Sequence, residues 1–290
     1  MVVESLRGAL ASARRHDERP GAVDVFRIPL ARVAGRHVAL LDARERARAE
    51  RRERAAGGGA AFASRAALRL VVAHWLGAGA DAASLALEED GYGRPCLAGR
   101  AACDVDFNLS HSRGLALVAV ARGVRIGVDL ERVDPRRDVA RLAARVLAAD
   151  EQRALAEQCG AAATRAFHLA WSAKEAFAKA SGAGLRVPPR RHAVQWAPDG
   201  AGRIALAPAS ADGVPSVGGG ATHTDGTASA ASGPNAESGV DVEGAAVRAA
   251  RDASRAVLRE LELPDGFVGA ICALGAVERV RAFDAEALVA

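Results

Sequence analysis

Along Val124–Glu131 the chain alternates. Val124, Ile126, Val128 and Leu130 are apolar, while Arg125, Gly127, Asp129 and Glu131 lie between them. A strand sends successive side chains to opposite faces, so the pattern predicts four residues on an apolar face and a pair of carboxylates on the other. Elsewhere the pattern predicts strands at Val23–Ile28, Leu115–Val120, Ile204–Leu206, Ala256–Leu263 and Phe267–Leu274, with His37–Leu41 leading into a helix. Helical spacing is clear in Phe62, Ala66, Leu70, Val71 and Trp75, which predict a helix over 61–76 capped by Gly77. It returns after Pro135, where Val139, Leu142, Val146 and Leu147 predict a helix over 137–148 and Asp150 reads as the N-cap of another. Phe167, Ala170, Trp171, Lys174 and Ala178 predict a longer one over 164–181, ended by Gly182. Gly91–Pro95 and Asp104–Ser112 read as turns, and Gly57–Gly59 as a helix break. The implied fold is α/β, with residues 1–122 and 123–290 as two halves that each pair strands with helices.

Between 207 and 246 the pattern fails. That stretch lacks Leu, Ile, Met and aromatic residues, and its composition predicts a disordered insertion. Its only charged residues are Asp212, Asp225, Glu237, Asp241 and Glu243, so of the net +4 the insertion carries −5 and the remainder +9. A basic remainder suits an anionic ligand, an acidic protein or nucleic acid. The four cysteines, Cys96, Cys103, Cys159 and Cys272, have no C-x-x-C spacing, which argues against zinc and against a disulfide framework. With no leader-like start and no long apolar run, the expected setting is the cytoplasm, without membrane attachment.

Several groups are candidates for chemistry. Asp129 and Glu131 leave one strand face about 6.6 Å apart. Glu175 and Lys179 share a helix face with the spacing of an ordinary ion pair, and Lys174 is adjacent. Six arginines between Arg44 and Arg54, Arg48 and Arg52 among them, alternate with glutamates as on a solvated helix, with Arg65 nearby on the next helix. Each feature alone has a bland reading: an exposed sheet edge, a surface pair, a solvated helix. Together with Ser110 and His111 they describe phosphate chemistry, in which Mg²⁺ takes hard oxygen ligands from Asp129, Glu131 and Glu175 and cations take the remaining phosphate oxygens.

Four segments in order carry a resemblance: Gly93-Arg94-Pro95, Phe107-Asn108-Leu109-Ser110-His111-Ser112, Ile126-Gly127-Val128-Asp129-Leu130-Glu131, and Trp171-Ser172-Ala173-Lys174-Glu175-Ala176-Phe177-Ala178-Lys179. Over residues 60–190 the chain resembles the 4′-phosphopantetheinyl transferases of the larger, Sfp-like type. The resemblance implies a monomer of two pseudo-twofold α/β halves with coenzyme A in the cleft between them. It implies Mg²⁺, or Mn²⁺, on Asp129, Glu131 and Glu175, with Lys174 and Lys179 on the phosphates. Ser110, His111, Arg65 and arginines such as Arg48 and Arg52 would hold the nucleotide and its 3′-phosphate, and Arg94 would line the adenine end. The reaction implied is attack by a serine of an apo acyl or peptidyl carrier protein, in fatty-acid or secondary metabolism, with Glu175 as base. Arg94 stands where many relatives have lysine, and the 207–246 insertion departs from the family pattern. On this reading Asp129→Ala removes Mg²⁺-dependent activity and spares the fold. A nucleic-acid-binding protein is the first competing reading, weakened because the arginine cluster has no interleaved aromatics for base stacking. Another Mg²⁺-dependent phosphohydrolase is the second; it leaves the Ser-His segment unexplained.

Overall fold

In a computed structural model, the chain is described over residues 3–5, 21–56, 60–77, 81–90, 94–99, 104–182, 184, 187–197, 201–206 and 251–289. The expected glycine break at 57–59, part of the turn at 91–95 and the insertion at 207–246 lie outside these residues. The strands are β1 (Val3–Ser5), β2 (Ala22–Pro29), β3 (Leu87–Glu89), β4 (Pro95–Leu97), β5 (Val105–Ser112), β6 (Leu115–Arg122), β7 (Ile126–Arg132), β8 (His192–Trp196), β9 (Ala201–Leu206), β10 (Ala256–Glu260), β11 (Phe267–Leu274) and β12 (Arg279–Asp284). The helices are α1 (Ala43–Ala56), α2 (Ala60–Leu76), α3 (Val139–Val146), α4 (Ala149–Ala156), α5 (Gly160–Ser181) and α6 (Glu286–Val289).

The fold is α/β with two five-stranded sheets and flanking helices. The first sheet runs β1-β12-β2-β6-β5 and is mixed, because β12 is parallel to both β1 and β2. The second runs β7-β11-β10-β9-β8 and is antiparallel throughout. The boundary near Arg122 falls between β6 in one sheet and β7 in the other, and the chain returns to the first sheet with β12.

Period-two alternation builds the layers. Ala116, Val118 and Val120 of β6, with Phe26, Ile28 and Phe107, bury one face of the first sheet against Leu68, Val71, Val72 and Trp75 of α2. Leu117, Ala119 and Ala121 turn the other way and meet Ile126, Val128 and Leu130 of β7 and Ile271 of β11, so the two sheets share a core. The opposite face of the second sheet, with Leu258, Ala270 and Cys272, is covered by Ala173, Ala176, Phe177 and Ala180 of α5. The order is helix, sheet, sheet, helix. Each large apolar side chain so buried contributes about 1.5–3 kcal/mol before conformational entropy is counted. Helices α3 and α4 pack on the outer side of α5 through Leu147, Leu155 and Phe167.

Three local readings change. Asp104–Ser112 is no turn: Val105–Ser112 is a full strand paired with β6, and its polar composition has a reason given below. Asp150 lies inside α4, whose start is closed by the Glu151 carboxylate accepting the Ala148 N–H at 2.6 Å. The long helix begins four residues earlier than expected, at Gly160, and ends as expected at Gly182, where φ is +72°. Among the described residues no helix is long and apolar enough to cross a membrane.

Candidate functional site

Strand β7 lies at the edge of the second sheet, so the backbone groups on its outer side need partners from outside that sheet. Strand β5 supplies them with side chains. Asp106 accepts from the N–H of Ile126 at 2.7 Å, Asn108 from Val128 at 2.9 Å, Ser110 from Leu130 at 3.2 Å and Ser112 from Arg132 at 3.1 Å. This ladder explains why every second residue of β5 is a polar acceptor. The outer carbonyls are met as well, that of Ile126 by Arg94 at 2.7 Å and that of Val128 by Lys179 at 3.1 Å.

The odd residues of β7 face α5, and Gly127 permits the approach. A Cβ there would stand 2.1 Å from the Ala176 carbonyl and 2.5 Å from the Ala180 nitrogen. Two residues on, Asp129 is 5% exposed and its Oδ1 accepts from Lys179 Nζ at 2.6 Å and from Ser110 Oγ at 3.0 Å. Lys179 also donates to Ser110 Oγ at 3.0 Å. Lys179 therefore pairs with Asp129 across the strand, in place of the within-helix pair with Glu175 that its spacing predicted. Ser110 gives one hydrogen bond and takes two, which uses its whole capacity. Asp129 Oδ2 is buried and has no hydrogen-bond partner among the described residues.

Two further carboxyl groups complete the cluster. Glu131 accepts from Trp171 Nε1 at 3.2 Å, and its carboxyl is pushed up to about 7 by burial and the charge of Asp129, with Arg137 opposing. Glu175 is likewise pushed up to about 7 by burial and by Asp129, with Lys179 opposing. Glu131 and Glu175 thus each feel the charge of Asp129, although among the described residues no three such side chains form a preformed metal centre. The donor set still fits a hard divalent cation. It consists of carboxylate oxygens, and one of them, Asp129 Oδ2, is buried with no other partner among the described residues.

The remaining predicted residues divide. His111 sits beside this cluster, its imidazole held below the usual value by burial and then by the charges of Arg52 and Lys179. Arg52, Arg48 and Arg65 are close enough that each of the first two is lowered by burial and by its arginine neighbours, Arg65 included. Arg65 donates to Glu45 at 2.6 Å and Arg48 pairs with Glu89, so part of this charge is already balanced. Arg94 is not at an open rim. It is a buried clamp, donating to Lys179 O, Asp106, Phe107 O and Ile126 O at 3.0, 2.7, 2.9 and 2.7 Å. Lys174 is also elsewhere. One residue from Glu175 turns a side chain by about 100° around the helix, and Lys174 Nζ is buried against Glu151 Oε2 at 2.8 Å and the carbonyls of Pro189 and His192. Glu151, which holds Lys174 and the N–H groups of Ala148 and Val194, went unnoticed in the sequence. An acid in the first turn of a helix reads as a capping residue, and only the contact with α5 shows more.

Paired carboxylates on a strand, a third on the facing helix and cations on one side form the kind of site that handles phosphate esters. Residues 125–220 match the family described as the 4′-phosphopantetheinyl transferase superfamily. The chain is 34% identical over 147 residues to a candidate 4′-phosphopantetheinyl transferase of Synechocystis, covering 51% of this chain and 59% of that one. It is 35% identical over 124 residues to the 4′-phosphopantetheinyl transferase HetI of Nostoc, covering 42% and 52%. It is 32% identical over 122 residues to a 4′-phosphopantetheinyl transferase of Bacillus subtilis, again covering 42% and 52%. The chain spans between half and three fifths of the length of these relatives.

Proposed function

We propose that this protein, as a transferase of the Sfp-like type, moves the 4′-phosphopantetheine group of coenzyme A to a serine hydroxyl of an apo acyl or peptidyl carrier protein and releases 3′,5′-ADP. The observation that carries this reading is the meeting of Asp129, Glu131 and Glu175 at the contact of β7 with α5, beside Lys179 and the group formed by His111 and Arg52. In this reading Asp129, Glu131 and Glu175 hold Mg²⁺ or Mn²⁺, which when bound supplies Lewis-acid stabilisation of charge on the pyrophosphate. Lys179 is a compact point charge for a phosphate oxygen, and its present contact with Asp129 reserves that position. His111, Arg52 and Arg48, with Arg65 behind them, receive the 3′-phosphate at the end where α1 faces β5.

The chemistry is a displacement at phosphorus. The serine oxygen bonds to the β-phosphorus, the bond from that phosphorus to the bridging oxygen breaks, and 3′,5′-ADP leaves. Glu175 accepts the serine proton, as a carboxylate within the cluster and near the reacting phosphate. Otherwise the residues position and neutralise, as phosphoryl transfer in general requires.

The test is incubation with coenzyme A, Mg²⁺ and an apo carrier protein, followed by intact-mass measurement of the carrier. A gain of one phosphopantetheine group is expected. Cleavage of coenzyme A with no change in carrier mass would replace this reading with hydrolysis.

A further inference from the structure

From the geometry at the junction of the two sheets we infer that Arg94 is a positioning residue for Lys179. The inference rests on the function proposed above for the meaning of Lys179, but not for the contact itself. Lys179 lies in the last turn of α5, where the final four carbonyls of a helix have no partner within the helix. Arg94 Nη1 donates to the Lys179 carbonyl at 3.0 Å, and positive charge at a helix C-terminus is favourable. The second nitrogen of the same guanidinium, Nη2, reaches Asp106, the Phe107 carbonyl and the Ile126 carbonyl. Asp106 is fixed in turn by the Ile126 N–H. One planar side chain, 9% exposed, therefore ties the end of α5 to the start of β7 and to β5.

Lys179 is consequently held at both ends. Its carbonyl is held by Arg94, and its ammonium by Asp129, Ser110 and the Val128 carbonyl. The Asp129 contact lies along the same strand that Arg94 grips at Ile126. If the guanidinium is removed, the last turn of α5 loses its capping donor and is free to move relative to β7, which carries the ammonium away from Asp129. Lysine in place of Arg94 keeps the charge but has no planar fork able to reach several carbonyls from fixed directions.

The chain offers a clean reporter. Its only lysines are Lys174 and Lys179. Lys174 is 2% exposed and Lys179 27% exposed, so Lys179 reports on the clamp and Lys174 on global unfolding. The test compares the wild type, Arg94→Met and Arg94→Lys by acylation with N-hydroxysuccinimidyl acetate, read by peptide mass spectrometry. Acylation at Lys179 is expected to rise several-fold in both variants while Lys174 stays protected. Unchanged Lys179 reactivity in Arg94→Lys overturns the inference, and so does a parallel rise at Lys174, which would mean general loosening. In the transfer assay kcat should fall about tenfold or more while KM for coenzyme A stays within a few-fold, as a misplacement of order 1 Å implies. Arg94→Lys combined with Lys179→Met should be no worse than Lys179→Met alone. A raised KM with unchanged kcat, or multiplicative losses, would show instead that Arg94 touches the coenzyme. If the wild type transfers nothing to any carrier, the functional reading fails while the acylation result still decides the role of Arg94.

Discussion

Gly127→Ala tests the whole construction of the site, because it adds one carbon at the point where α5 lies closest to β7. That carbon would stand 2.1 Å from the Ala176 carbonyl, 2.5 Å from the Ala180 nitrogen and 3.0 Å from Lys179 Cβ. An ordinary carbon–oxygen contact is about 3.3 Å, so relief requires the helix and strand to part by about 1 Å. The clashing atoms are backbone in the interior of a helix, and Ala176 and Ala180 are themselves fully buried against the second sheet, so no side-chain rotation absorbs the strain. Overpacking of this kind costs about 1–3 kcal/mol, which for a chain of this size corresponds to a fall of about 2–5 °C in melting temperature. The functional effect should be larger. The Lys179 to Asp129 contact is 2.6 Å, and 1 Å of separation takes it beyond hydrogen-bonding distance. A loss of about a hundredfold in kcat is expected. Gly202→Ala is the control: its added carbon would meet the Trp196 ring at 2.8 Å and Leu258 Cβ at 3.0 Å, far from the carboxylates. Urea denaturation and the transfer assay on both variants decide the matter. If Gly127→Ala melts with the wild type and retains its kcat, the close approach of α5 to β7 is not what places Lys179.

Three further outcomes follow from buried charges. Asp129→Ala, expected from sequence to spare the fold, should lower stability by roughly 3 kcal/mol, because Asp129 is buried and its loss strands the Lys179 ammonium; the double variant Asp129→Ala with Lys179→Met should recover much of that in urea titration, and additive losses would contradict the pairing. Lys174→Met should lower the melting temperature by leaving Glu151 buried with only the Ala148 and Val194 N–H groups, and the second change Glu151→Gln should restore part of the loss; a surface-like effect near zero would mean that the ammonium is solvated in solution. His192, whose imidazole is pushed down to about 4 by burial and then by the charges of Lys174 and Arg191, gives a pH dependence with a definite sign. The unfolded chain takes up this proton near 6.5 and the folded one only near 4, so its contribution is complete above about 6.5 and is lost as pH falls toward 4. With allowance for partial solvent screening the loss is about 2 kcal/mol. His192→Gln should flatten the stability profile over that window, and identical slopes for variant and wild type would refute the assignment.

Much of the fold was legible because single-face burial writes a period into the chain. Ile126, Val128 and Leu130 revealed their strand by alternation and Leu115–Val120 by an unbroken apolar run, and Gly77 and Gly182 marked two helix ends. What stayed hidden was long-range pairing. Nothing in the local pattern says that β12 enters the first sheet between β1 and β2, since strand order is a contact between distant segments. Val105–Ser112 was misread because Asp, Asn, Ser and His ordinarily mark turns, which offer their side chains a nearby backbone group. Here the same capacity is spent on a different strand.

That misreading also accounts for how the motif residues sort themselves. Asp106, Asn108, Ser110 and Ser112 each accept from the residue twenty positions later, so the polar face of β5 and the apolar alternation of β7 are two halves of one joint. A motif that resembles a ligand-binding segment thus owes most of its polar character to holding two sheets together, while His111 feels the charges of Arg52 and Lys179. Arg94 and Lys174 follow the same rule, Arg94 satisfying the carbonyls of Lys179 and Ile126 and Lys174 those of Pro189 and His192. Such residues answer a structural demand that ligand contact does not supply. An Arg-to-Lys exchange at position 94 changes the number of carbonyls that can be reached from one place, and through it the position of the Lys179 charge.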